Sequence, residues 1–573
     1  MDILTCCGLT ILELIALQPS TVFDSLLISK RFFTLVFIQY AFFKFYRIVF
    51  YPNFLSPLRH LPGPKDHNLL LGQEVKKFRA DGPAAVQLQW MRKWPNTPFI
   101  RYISFAGKEV LLVNSLAAHK AVLQTHVYDF VKPPFFARLV GEITGVGLLF
   151  SEGEAHERER RLLAGPFSVP SMRKLLPVFR TKAKALSHVF EQLLGEKPYA
   201  TLEAIDTFSK STMDTIGVTV LGIELDTISS TYPLGFQELY DRVLHQGFLG
   251  QLIWVINAFL PIRGIVPLEA NRKFVQTTTD LRKMLREIIQ QRATDLANGT
   301  FKREKGESRD LLTYMLEEAE LRRQEMGKDI WSVNDIIGHV SLPLFLYWPN
   351  TNKAITSQLL NFTSAGHEST AATLSWSLYV LATNPAIQDR LRSGINSLLE
   401  TNQEPDYDTI SALPYLHNFI REVLRVYPPS YMAQREATRD LVIEGVSIPK
   451  GTQIDLNIPL VHQHPLIWGP NATEFDPDRW DRLSGAAATP FAFEAFLQGP
   501  RTCPGRNFAL IEVKAFLVEL VTQWHFLGIE RRDGELLSSG EERLGKGVKL
   551  ANPSLTYRPA DELLVRFGRV KKL

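Results

Sequence analysis

The side chains best placed to do chemistry surround Cys503, in the run Phe496-Leu497-Gln498-Gly499-Pro500-Arg501-Thr502-Cys503-Pro504-Gly505-Arg506-Asn507-Phe508-Ala509. The first half is rich in turn formers and the second half is helical in pattern. Pro504 suits the first position of a helix, where its missing N–H costs nothing, so the pattern predicts Cys503 at the N-cap. There the free N–H groups and the positive end of the helix dipole favour thiolate over thiol. Gly499 and Gly505 remove side chains where the backbone must turn or come close to a flat ligand, and Arg501 brings a cation beside it. The only other cysteines, Cys6 and Cys7, lie at the amino terminus. The body therefore offers Cys503 no disulfide partner, a usage that fits a reducing compartment. A structural zinc site would need further Cys or His ligands at characteristic spacings, and none lies nearby in sequence. A free cysteine nucleophile would need an activating base elsewhere in the chain, and the run by itself leaves that alternative open.

The order Phe496, Gly499, Arg501, Cys503, Gly505, Ala509 resembles the haem-binding signature of the cytochrome P450 family at all six positions. The resemblance implies haem b with Cys503 as the iron's axial ligand, Phe496, Gly499, Arg501 and Gly505 around it, and O2 as co-substrate. Glu422-Val423-Leu424-Arg425 places an acid and a base three apart on one helical face. Glu157/Arg160, Glu320/Arg323 and Glu436/Arg439 share that spacing, so context decides. Tyr427-Pro428-Pro429 ends the helix, and Phe475-Asp476-Pro477-Asp478-Arg479-Trp480 follows upstream of the cysteine, as the family order requires. The resemblance implies that Glu422, Arg425 and Arg479 form a buried charge network fixing the fold on the haem side.

Ala365-Gly366-His367-Glu368-Ser369-Thr370 lies within a helical pattern. An interior glycine costs about 1 kcal/mol relative to alanine, and room for dioxygen gives it a reason. Ser and Thr can bond back to the preceding turn and open a groove through which protons travel. The stretch resembles the family's oxygen-activation motif, with Glu368 as the acid and residue 369 as the alcohol. Relatives usually carry Thr there, whereas this chain has Ser369 followed by Thr370, and both hydroxyls remain candidates. The segment from His156 to Arg160 resembles one in which Trp and, four positions on, Arg contact a haem propionate; His156 stands in place of Trp and can still donate a hydrogen bond. Arg435 matches another propionate-binding position. A surface charge cluster is the plain reading of residues 152–161, and it suits Arg158.

These side chains have to be held by a large body. The chain has 573 residues, 45% hydrophobic, 11% aromatic and 22% charged, a globular composition that excludes disordered and fibrous classes. Its net charge is +4 with no dense run of one sign, so nucleic acid is not an expected partner. No linker, repeat or low-complexity tract divides the body. Residues 99–113 read as short strands, with 110–113 a buried one; helical periodicity dominates 171–323; further strands fall at 441–448 and 453–458. The class is mainly α (α+β), and the resemblance implies the P450 fold, helices and small sheets around a buried haem.

Two domains are expected: 1–60, a membrane anchor and linker, and 61–573, the catalytic unit. Residues 3–50 are apolar, and the Leu61-Pro62-Gly63-Pro64 break stops any helix continuing from them. The part at 32–50 either spans a bilayer or lies in its interface. Arg59, Lys65, Lys76 and Lys77 follow, which by the positive-inside tendency leaves the body cytoplasmic, with the endoplasmic reticulum the expected membrane. Residues 331–340 read as helix and so do 358–364, but 341–357 intervene with Pro343, Pro349 and Asn350, which a helix cannot pass smoothly. This atypical insertion is either a surface bulge or an unspliced fragment of the gene.

The expected activity is monooxygenation of a lipophilic small molecule. The chain has no Gly-x-Gly-x-x-Gly fingerprint or phosphate loop, so NADPH electrons are expected through a separate cytochrome P450 reductase. Five apolar segments are candidates for substrate contact, at 132–150, 247–260, 362–368, 430–433 and 548–553. The segment 247–260 reads equally as a membrane-touching or entrance helix and as core. The overall style, including Ser56-Pro57-Leu58-Arg59-His60 and the Ala-Gly-His-Glu motif, is similar to fungal members of secondary metabolism that oxidise terpenoids or polyketides. Two rival readings are a haem-thiolate isomerase or dehydratase that needs no reductase, and a non-catalytic haem-binding membrane protein.

Overall fold

The computed structural model describes residues 3–17, 30–326 and 352–570, apart from positions 146, 229–234, 245–246, 261, 264, 302–307, 403, 539–546 and 553–555. The amino terminus folds as helix α1 (Ile3–Leu17) packed on α2 (Lys30–Phe45), with Cys6 buried against Phe32 and Val36. Helical structure continues from α2, so that Phe32–Leu55, 24 residues, is long and apolar enough to cross a membrane. Its phenylalanines at 33, 37, 42, 45, 50 and 54 are exposed, which is expensive in water and not in lipid.

Beyond the Pro/Gly break lies a mainly helical body with small sheets. Strands β1 (Phe99–Ile103), β2 (Glu109–Val113), β3 (Phe130–Val131), β5 (Met432–Ala437) and β8 (Gln453–Asn457) form one sheet in the order β1-β2-β8-β5-β3. All pairs are antiparallel except β2 with β8, where Leu111 faces Ile454. Strand β4 (Ala200–Glu203) pairs with β10 (Leu564–Arg569), which pairs with β9 (Trp524–Glu530), while β6 (Leu441–Ile443) and β7 (Val446–Ile448) make a hairpin. The strands expected at 99–113, 441–448 and 453–458 are present. Strand β5 is not legible from sequence because Gln434, Arg435 and Glu436 interrupt any apolar alternation, and β4 interrupts the helical region 171–323 for the same reason of composition.

The body's helices relevant to the site are α3 (Pro134–Thr144), α4 (Gly153–Leu162), α5 (Val169–Leu194), α6 (Ala204–Ile216), α7 (Phe248–Phe259), α8 (Asn352–Thr383), α9 (Pro414–Val426) and α10 (Arg506–Gln523). Helix α8 runs through the core although it is rich in Ser and Thr. Ser369, Thr373, Ser375 and Ser377 each donate a hydrogen bond to the carbonyl four residues back, at 2.6–2.9 Å, so their burial leaves no hydroxyl donor unsatisfied. Its centre is pinned by Trp376, which stacks on Tyr427 at 4.5 Å and donates to the Tyr557 carbonyl at 2.8 Å.

The start of α8 corrects the expected insertion. Residues 352–357, placed in the irregular segment 341–357, are helical, because no residue after Asn350 breaks a helix. Residues 341–351, with both prolines, and the helix expected at 331–340 lie outside the described residues. The segment 247–260 meets both of its expected readings in part: Gly250, Ile253, Asn257 and Ala258 are buried, while Phe248, Leu249, Leu252 and Leu260 are exposed.

Candidate active site

The cysteine loop departs from its expected geometry in one respect. Helix α10 begins at Arg506 with Gly505 as N-cap, so Cys503 stands two residues before the cap, not at it. Pro504 and Gly505 form a turn instead of the first helical turn, a small shift of boundary with a chemical consequence. The Cys503 N–H donates to the Phe496 carbonyl at 2.8 Å, which closes the loop and aims the sulfur. Gly499 has φ +73°, and a Cβ there would lie 2.1 Å from the Leu123 carbonyl oxygen, so only glycine fits. At Gly505 a Cβ would sit 3.9 Å from the Cys503 sulfur, in the space beside it.

Burial pushes the Cys503 thiol up; the Gly505 N–H, Arg160 and Arg506 pull it down, the direction expected for this loop, but do not offset the loss of water. Ligation by a metal cation, which binds only the deprotonated sulfur, has to supply the rest.

The segments packed near the cysteine loop bury a concentration of positive charge. Arg501 donates to the Ser151 carbonyl at 3.1 Å and to the Glu152 carboxylate, but its buried Nε has no acceptor. Lys132 reaches the same carboxylate at 3.3 Å; burial and then the neighbouring Arg435 and Arg501 push its pKa down to about 7. Arg435, buried on β5, has among the described residues only the Gln434 carbonyl at 2.8 Å, and burial followed by repulsion from Arg501 lowers it to about 10. His156, on α4, meets the Tyr128 hydroxyl at 3.3 Å, and burial, then Arg501 and Lys132, push it to about 4, so it is neutral. Arg160, one turn on, is half-buried within the field of Cys503. Lys132 and Glu152 are members of this set that sequence reasoning missed; a lone lysine and a helix-flanking glutamate carry no signal in a single chain. Several cations sharing one carboxylate is an unfavourable arrangement unless a ligand brings more negative charge. A thiol and a cluster of buried cations in need of negative charge fit haem, whose iron would take the sulfur and whose propionates would take the cations.

Glu422, Arg425 and Arg479 come together as expected, and all three are buried. Glu422 accepts from Arg425 at 2.8 and 2.7 Å, from the Asp476 N–H at 2.9 Å, from Trp480 at 3.1 Å and from Arg479 at 3.4 Å. Arg425 also donates to the His462 and Glu474 carbonyls at 2.7 and 2.8 Å. Of the pairs with the same spacing, Glu436 bonds instead to Lys108 and Arg439 to Asp129.

On α8, Glu368 accepts from the Thr556 hydroxyl at 2.9 Å. The Ser369 hydroxyl donates to the Ala365 carbonyl at 2.6 Å, and Ala365 is exposed although the helix is central, so this face borders open space. Thr370 faces the other way: it is 1% exposed, and its hydroxyl has no partner. At Gly366 a Cβ would lie 2.4 Å from the Cδ1 tip of Ile216 of α6, so the close approach of two helices is a second reason for a small residue there, beside the room expected for dioxygen.

Thr370 lies near Glu512 of α10, which sequence reasoning did not single out. Glu512 is fully buried, neither oxygen has a normal hydrogen bond, and burial pushes its pKa from 4.5 up to about 8 against the nearby hydroxyls of Thr215 and Thr370. The fold therefore holds it protonated, whereas the unfolded chain ionises it above its ordinary value. Stability is lost as pH rises from about 4.5 to about 8, and no further above that. Glu512→Gln removes this dependence: relative to the parent it gains stability through that window, by at most about 5 kcal/mol. Denaturant unfolding of both proteins at pH 5 and at pH 8 checks it; parallel changes in the two would refute it.

Above this face is a cavity of about 1220 Å3 to which Glu368 contributes and Cys503 does not. All five segments expected to meet substrate supply lining residues, among them Phe135, Trp254, Glu368, Tyr431 and Asn552. Phe259 of α7 stacks on Phe135 at 5.3 Å and meets Phe105 edge-on at 5.7 Å, which closes α7 over the body as one wall.

Comparison with known proteins agrees with this geometry. The family model for cytochrome P450 matches residues 62–337 and 349–547, leaving out the eleven residues between them. Cytochrome P450 monooxygenase sphH of Aspergillus fumigatus is 29% identical over 523 residues, covering 87% of this chain and 90% of its own. Cytochrome P450 monooxygenase ALT8 of Alternaria alternata is 28% identical, with 83% and 85% covered. Cytochrome P450 monooxygenase FUM15 of Gibberella moniliformis is 28% identical, with 87% of each chain covered. A cysteine loop closed onto Phe496 and a buried cluster of cations around Glu152, in a chain matched by the family model over almost its whole body, make this protein a member of the cytochrome P450 family, an oxidoreductase of the monooxygenase type.

Proposed function

We propose that this chain inserts one oxygen atom of O2 into a lipophilic small molecule of secondary metabolism, a terpenoid, polyketide or similar compound. NADPH supplies two electrons through a separate cytochrome P450 reductase, two protons are taken up, and the second oxygen leaves as water. The observation that carries the reading is the large aromatic-walled cavity that ends on Glu368, on the side of α8 away from the buried Thr370. Haem, when bound, supplies the iron at which O2 is reduced, with thiolate donation favouring O–O cleavage.

In this reading Cys503 holds the iron, and Arg501, Arg435, Arg160 and His156, with Lys132, hold the propionates. Phe496, Gly499 and Gly505 shape the loop beneath. Glu368 carries protons inward at its carboxylate, positioned by Thr556, and Ser369 passes them on at its hydroxyl. Ser369 is preferred over Thr370 because its oxygen is on the open face, while that of Thr370 faces Glu512. The anchor at residues 1–60 holds the catalytic unit 61–573 on the cytoplasmic face of the endoplasmic reticulum.

Reconstitution of the haem-loaded full chain with reductase in vesicles tests the activity. Product formation that requires both NADPH and reductase is expected. Turnover of a peroxide substrate without them would favour an isomerase or dehydratase, and a thiolate-type spectrum with no turnover would favour a non-catalytic haem protein. Ser369→Ala is expected to lower turnover by about 10²-fold, the usual size of a lost proton-transfer group, while Thr370→Ala leaves it near the parent value. Steady-state rates in H2O and D2O check this, and the reverse order would exchange the two roles.

A further inference from the structure

Most charges on the cavity wall are already paired. Lys77 bonds Glu74 at 3.1 Å, Lys108 bonds Glu436 at 3.1 Å, and Glu109 takes Arg101 at 2.7 Å. Arg138 of α3 is different. It lines the cavity, its Nε is buried, and among the described residues it has no hydrogen bond or ion pair. The acid one turn along the same helix, Glu142, would be its natural partner. Glu142 instead takes Arg263 at 3.0 and 2.9 Å and Asn257 as well, which ties α3 to α7 and leaves Arg138 unanswered. The other acid on the oxidation side, Glu368, is held by Thr556. The surroundings of Arg138 are Phe135, Phe136, Leu139, Ile143 and Trp254, whose indole N–H is spent on the Leu139 carbonyl at 2.6 Å.

A guanidinium whose inner N–H has no acceptor, beside the aromatic and aliphatic side chains of this cavity, is complementary to one planar anion on an apolar body. We infer that Arg138 is a specificity-determining residue that binds the carboxylate of an amphiphilic acid whose hydrocarbon part fills the cavity. The inference rests on the cavity being the substrate site. The negative charge of Glu368 on the same wall repels the acidic end, so the acid is held with its hydrocarbon, not its carboxylate, against Glu368, and oxidation falls on a carbon remote from the carboxylate.

The test uses the haem-loaded full chain with dodecanoate and hexadecanoate, each compared with its methyl ester, by optical titration of the haem band and by calorimetry. The parent is expected to bind at least one acid about tenfold or more tighter than its ester, a preference of the size expected for a lost Arg–carboxylate pair. Arg138→Met should abolish the preference by weakening the acid alone, and Arg138→Lys should keep part of it. A parent that binds acids no better than esters, or neither, overturns the inference, as does an Arg138→Met variant that weakens both equally. The spectrum of the reduced carbon monoxide complex separates the two readings: a thiolate-type spectrum without acid preference sinks only this inference, whereas its absence sinks the haem-thiolate reading beneath it.

Discussion

Replacing Cys503 by alanine is expected to remove the thiolate-type spectrum of the reduced carbon monoxide complex and to bring NADPH- and O2-dependent turnover to background. Cys6 and Cys7 belong to the amino-terminal helix, where Cys6 is buried against Phe32 and Val36, so neither can substitute. Among the described residues no group of three His, Cys, Asp or Glu side chains is placed to hold a metal ion in its stead. The change deletes one buried sulfur, a loss of about 1 kcal/mol in packing, so the fold persists and circular dichroism should match the parent. Haem retention, spectrum and turnover are then read on folded protein. An unchanged spectrum in the alanine variant would mean that another group holds the iron.

Glu422→Ala should be the most destabilising single change on the haem side. It strips the shared acceptor from Arg425 and Arg479, leaving two guanidiniums in a site without water to replace it. Breaking a buried pair this way costs about 3–5 kcal/mol. Glu436→Ala supplies the contrast: Glu436 has an Arg three residues on, as Glu422 does, but bonds Lys108, whose side chain is 40% exposed, and such pairs contribute about 1 kcal/mol or less. Denaturant midpoints of the two variants in the haem-loaded state should differ accordingly. Equal shifts would show that spacing, not burial, sets the energy, and would remove the argument for Glu422 as the keystone of this region.

That contrast explains what a single sequence can and cannot disclose. Glu422/Arg425 and Glu436/Arg439 look alike as strings, and only the arrival of Asp476, Arg479 and Trp480 from fifty residues away makes one a buried network. The cation cluster is similar. Arg501 and Arg160 were legible because motifs carry them, but Lys132 and Glu152 lie on segments with no pattern of their own and acquire meaning through a common carboxylate. Sequence reasoning did not single out Glu512, because its local pattern does not mark it; in the structure α10 is packed on both sides and closes over it.

Local chemistry, read without coordinates, pointed to the family, the cysteine loop, the glycine that loop cannot do without, the Pro/Gly break before the body and an amino-terminal segment long and apolar enough to cross a membrane. Each depends on residues close together in the chain, where spacing alone sets geometry. Tertiary structure decided which way side chains face and what covers them. It moved the helix start from Cys503 to Arg506, brought Gly366 against Ile216, turned Ser369 outward and Thr370 inward, and left Arg138 without a partner among the described residues. The physical reason is that desolvation and charge pairing are set by whichever segments arrive in space, and a linear pattern does not record those arrivals.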